Sequence, residues 1–269
     1  MSNPLLTDKA MGLGNIDKSS NTWAPPTVSQ PMSDGPVSRW DGGIMTVAGT
    51  ASATIMLLIL ILASATATWV SIDAPAVGNV VKIPMAWVIG GFIIGFIAVI
   101  TASIKPHLAR IAAPIYALAE GVVLGAISRA YSEAYDGIVL QAVGATLGVF
   151  VVMLLLYRSR IIKVTDRTRR IVYGAMMGLM AFYFVSFILG MFGSMPSFIN
   201  NASPMGIAFS VFVAGLAAFN LALDFDMIEK GVANKLPAHM EWFAALGVVV
   251  TLVWLYLEIL RLLSKLRDR

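Results

Sequence analysis

The chain lacks cysteine altogether and carries only two histidines, His107 and His239. Disulfides, thiolate catalysis and cysteine zinc sites are thereby excluded, and histidine-built metal centres lose most of their ligands. Charge is scarce too. Only 13% of the 269 residues are Asp, Glu, Lys or Arg, whereas 58% are hydrophobic; an average soluble domain is about 25% charged and about 45–50% apolar. A soluble fold cannot hide that much apolar surface, so bilayer hydrocarbon must supply part of the burial. Enzyme signatures are missing as well: there is no HExxH, no P-loop, no GxSxG elbow and no histidine within an apolar run. The sequence therefore argues against an enzyme and against a bound cofactor. The net charge of +4 does not point to nucleic acid, because the basic residues fall between apolar blocks, where they act as topology signals.

What the chain does have is a succession of long apolar blocks. A transmembrane helix needs about 20 mostly apolar residues to cross about 30 Å of hydrocarbon. Seven such runs are expected, at 44–70, 84–104, 112–131, 137–157, 171–193, 204–226 and 241–263. They are too long and too little alternating for barrel strands, so the fold class is all-α, a polytopic seven-helix bundle over 44–269. Residues 1–43 hold five Pro and five Gly and few large aliphatics, a composition that predicts a disordered tail without a signal peptide.

Orientation follows from lysine and arginine. One set of connections carries Arg39, Lys105, Arg110, the basic stretch Arg158 to Arg170, Lys230 and Lys235; the other offers only Lys82 and Arg129. The N-terminus is therefore expected on the cytoplasmic side of the cell membrane. Seven crossings then put the C-terminus outside, although Arg261, Lys265, Arg267 and Arg269 are basic. A last segment that dips in and returns would remove that conflict, but the run from Phe243 to Leu263 is long enough to span. GxxxG patterns at Gly91/Gly95, Gly121/Gly125, Gly144/Gly148 and Gly174/Gly178 are expected to bring helices of the same chain close together.

Ionisable groups inside a membrane are costly and mark function by default. Glu120 lies in mid-helix, as either a hydrogen-bonded bundle acid or part of an ion path. Asp224 follows an apolar run. Asp226, two residues on, points to a different face and, with Glu229, is expected at a solvated helix end, where Lys230 is an i+4 partner. Glu258 is surrounded by apolar residues, with Arg261 three residues later as a partner for snorkelling to the interface.

The stretch Leu223-Asp224-Phe225-Asp226-Met227-Ile228-Glu229, then Glu241-Trp242, then Val253-Trp254-Leu255-Tyr256-Leu257-Glu258-Ile259-Leu260 resembles the Bax inhibitor-1 family of membrane proteins, in a bacterial branch. Ala117-Leu118-Ala119-Glu120-Gly121 and Gly125-Ala126-Ile127-Ser128 look like that family's third-helix signature. The resemblance implies seven helices around a central last one and a pH-sensitive calcium leak, with Asp224 and Glu258 as an acid pair across the pore and as candidate calcium ligands. Glu258 stands where the family more often has Asp, and Asp226 where it has an amide. Helix geometry offers a different partner: measured from a turn near Asn234 at 1.5 Å per residue, Glu241 matches Asp224 in depth better than Glu258 does. Both pairings stand at this point. The expected partners are lipid and calcium or protons. A competing reading is a non-conducting protein that binds and moderates other membrane proteins.

Overall fold

The computed structural model describes residues 43–72, 84–192 and 201–269. The predicted tail, and the breaks placed at Asp73 to Pro84 and Ser194 to Pro204, lie wholly or mainly outside the described residues. Within them the chain forms α1 (Val47–Ser71), α2 (Met85–Ile104), α3 (Ala109–Ala134), α4 (Ile138–Arg158), α5 (Asp166–Met191), α6 (Pro204–Ala233) and α7 (Met240–Arg267), with a 3-10 turn at Pro106–Leu108 before α3. All seven are long and apolar enough to span a bilayer. The chain is thus a polytopic helical membrane protein.

Local chemistry sets the helix ends. Thr46, Thr165 and Ser203 are N-caps whose hydroxyls accept from the backbone N–H groups of Gly49, Thr168 and Gly206, satisfying donors the helix itself cannot. Pro204 fills the first position of α6, where its missing N–H costs nothing. The Thr165 cap starts α5 at Asp166, five residues before the apolar run itself. Polar ends also lengthen α6, which continues through Asp226 to Ala233.

α7 is the axis of the bundle. Buried residues make up 72% of its apolar window against 17% for α5, and it packs on α1, α3, α4 and α6. Two of the GxxxG patterns bring helices together as expected. A Cβ on Gly121 or Gly125 would overlap the carbonyl oxygens of Ile61 and Ala65 in α1, and one on Gly91 the carbonyl of Ala119 in α3. The other two do not: Gly144, Gly148, Gly174 and Gly178 have open space beside them, so their role is not intrachain packing among the described residues.

The two ends of α7 settle its course. At its start, Ile44 bridges Pro237, Met45 donates to the Leu236 carbonyl and Ala238 to that of Gly43, so the approach to α1 and the α6–α7 turn share one face. At its end, Arg267 donates to the Asp136 carbonyl and to Gln141, and Tyr135 donates to Asp268. The last helix therefore runs the full depth of the bundle and finishes at the α3–α4 turn, on the face opposite the start of α1.

Candidate functional site

Acids occupy several levels of the bundle interior, and their surroundings differ. Asp224 lies half-buried on α6 and accepts from the Thr251 hydroxyl of α7 at 2.7 Å. Thr251 in turn accepts from the Asn220 amide at 2.9 Å. Gly247, one turn before Thr251, leaves room beside the carboxylate: a Cβ there would stand 3.8 Å from Asp224 Oδ1. The result is a small polar cluster of carboxylate, hydroxyl and amide between two helices otherwise packed through apolar side chains.

Thr251 was not among the predicted residues. Depth explains it once distances are counted from helix ends instead of from Asn234: Asp224 is nine residues before Ala233 and Thr251 eleven after Met240, about 14 and 16 Å of rise. Non-helical residues of the turn carry little depth, so counting them as helix misplaced the match at Glu241. A threonine in an apolar helix at the level of an acid on its neighbour is the signal that identifies it.

Neither predicted pairing of Asp224 is formed by hydrogen bonds. Glu258 lies seven residues beyond Thr251 along α7, about 10 Å. Its buried carboxylate receives Arg261 Nη1 at 3.0 and 3.3 Å, and that guanidinium also reaches the Tyr183 hydroxyl of α5 at 3.2 Å. The expected i+3 contact with Arg261 is present. One turn further, buried Lys265 donates to the Gly206 carbonyl and the Ser210 hydroxyl of α6.

Glu241 is 0% exposed and sits at the far end of α7. One oxygen accepts from the Thr46 backbone N–H and hydroxyl, both at 2.9 Å; a Cβ on Gly49 would overlap the carboxylate. Glu241 thus caps α1 from 195 residues away, placing an accepting oxygen at the first turn of the helix.

Asp226 is not at a solvated end. It is buried, at 7% exposure, because α6 continues two turns past it and α5 covers it. It pairs with Arg169 of α5 and with Lys230 at 3.0 Å. Glu229, on the same end of α6, is the exposed one. It binds the Tyr157 hydroxyl and Arg160, the latter at 2.6 Å. This layer of ion pairs fastens α4 and α5 to α6 at the face where the α6–α7 turn lies. Glu120, buried in α3, lies on the α2 side: a Cβ on Gly95 would stand 3.4 Å from its Oε2.

Among the described residues no three of His, Cys, Asp and Glu converge on a point that would hold a metal ion. Asp224 with Thr251 and Asn220 offers a few oxygens, fewer than the six to eight that calcium takes in a tight site.

Comparison with curated proteins and with solved structures gave no match. The family model described as Bax inhibitor 1 like matches residues 3–268, nearly the whole chain, including every acid placed above. The chain belongs to the Bax inhibitor 1-like family.

Proposed function

We propose that the protein is a cation leak pathway, with calcium as the transported ion, whose opening responds to pH through its intramembrane acids. Neither an enzymatic step nor a bound cofactor enters this reading. It rests on the Asp224–Thr251–Asn220 cluster, which puts a carboxylate and two further polar groups well inside the α6–α7 contact. An acid held there in a low dielectric is expensive unless it is used. The ion-pair layer of Asp226 and Glu229 is the lock in this scheme. Breaking these pairs frees α4 and α5 from α6. Glu258 with Arg261 guards the opposite end. The Arg158–Arg170 side is cytoplasmic, in the cell membrane.

The test is calcium flux into liposomes containing the purified protein, followed across pH. Asp224→Asn keeps the volume and removes the charge. It is expected to lower flux several-fold, and Asp226→Asn, which breaks the lock, to raise it. Flux that is unchanged in size and pH response in Asp224→Asn and in Glu258→Gln removes the acids from the gate.

One observation favours the non-conducting reading. The α5 backbone lies close to that of α6 alone and α5 reaches α7 through the Arg261–Tyr183 bond, so α5 exposes Met177, Met180, Phe184 and Phe187, a face suited to another membrane protein. Protein without calcium flux at any pH, co-purifying with a membrane partner through α5, would establish it.

A further inference from the structure

A feature unused by the acids is a cavity of about 490 Å³ bounded by α1, α3, α4 and α7. That is a ligand-sized volume. α1 and α4 flank it, and their backbones do not approach each other closely. Leu62 and Leu147, one on each flank, line it and are exposed, so it opens sideways in the plane of the membrane. Its α1 wall cannot collapse inward independently, because Gly121 and Gly125 of α3 already lie against the α1 backbone.

Its length and its ends identify the occupant. The α1 wall extends from Leu58 to Trp69, about 16 Å at the helical rise and about half of a 30 Å hydrocarbon core. This is the reach of one leaflet. Trp69, two residues from the end of α1, marks the interfacial end, where tryptophan belts sit. The Arg129 guanidinium lies over its ring, 5.4 Å from the centroid. Arg129 binds Glu133 at 2.7 Å, and its buried Nε has no hydrogen-bond partner among the described residues. The Arg129 guanidinium thus stands beyond Trp69, at the interfacial end of an apolar slot one leaflet deep. We infer that the cavity holds one acyl chain of a membrane phospholipid, with the lipid phosphate beside Arg129.

Photolabelling tests this. The full chain is reconstituted in phosphatidylglycerol vesicles seeded with a phosphatidylglycerol that carries a diazirine in one acyl chain, and adducts are mapped by mass spectrometry. Adducts on cavity residues such as Thr66 and Val143 should exceed those on exposed Phe184 and Phe187 of α5 several-fold. Val143→Phe, which fills the slot, and Leu147→Trp, which narrows its mouth, should each lower the cavity adducts and leave those on α5 unchanged. Arg129→Gln should also lower cavity labelling. Equal labelling of cavity and α5, or no response to either filling variant, overturns the inference. An unchanged Arg129→Gln overturns the placement of the phosphate.

Discussion

Glu241 shows how a residue's role depends on what lies opposite it. Its neighbours in sequence, Met240 and Trp242, give no sign that the carboxylate reaches the first turn of α1. The contact depends on Thr46 and on the absence of a side chain at Gly49, which are remote in the chain. Removing a helix cap costs about 0.5–2 kcal/mol. Glu241→Ala is expected to cost the upper part of that range, read as a lower melting temperature in detergent, while Glu241→Gln, which retains an accepting oxygen, costs less. Equal melting of wild type and Glu241→Ala would show that Thr46 caps α1 unaided. The glycines divide in the same way. Gly125→Leu forces a side chain into the Ala65 carbonyl, and overpacking of this kind costs about 1–3 kcal/mol; Gly148→Leu faces open space and should leave the melting temperature unchanged. Both belong to GxxxG patterns, so only the neighbouring helix separates them.

Among the elements, the apolar runs were legible because a bilayer demands a minimum length of apolar helix, a local property that needs no knowledge of neighbours. Helix ends were less so. α5 begins earlier than its apolar run because a threonine cap carries it through Arg167, Arg169 and Arg170, and α6 runs past Asp226 for two turns. The latter extension turned an acid expected in solvent into one clamped between helices. In the candidate site, Asp224, Glu258 and Glu120 were correctly singled out as acids within spans, since isolated charge in an apolar run is visible by inspection. The Arg261 partner of Glu258 was legible too, lying three residues on in the same helix; Thr251 beside Asp224 and Gly95 beside Glu120 were not, because they come from other helices. The Arg169–Asp226 pair ties the peripheral α5 to α6, and a double-mutant cycle of Arg169→Gln with Asp226→Asn should give a coupling on the order of 1 kcal/mol. Additive effects would mean that apolar contacts alone hold α5 in place.

At the scale of the whole bundle, the basic C-terminus set charge counting against helix counting. Seven crossings put Arg261, Lys265, Arg267 and Arg269 on the face with few other basic residues, against the usual bias. Helix counting prevails in the structure, and the destinations of three of those four side chains account for it. Arg261 is neutralised by Glu258, Lys265 is buried against Gly206 and Ser210, and Arg267 is held at the α3–α4 turn. A cation already engaged within the bundle is a weaker determinant of sidedness than one free to meet the cytoplasmic surface. With the Arg158–Arg170 connection as the cytoplasmic side, a reporter fused after Arg269 is expected to score external, and one inserted at Lys163 cytoplasmic. A cytoplasmic score at both positions would contradict a last helix that crosses fully. The same logic gives a graded form of the test. Replacing Glu258 by Gln leaves Arg261 without its counter-charge, so any population with an inverted last segment should increase in that variant. A C-terminal reporter that stays wholly external in Glu258→Gln would show that the length and burial of α7, not the neutralisation of its cations, fix its direction.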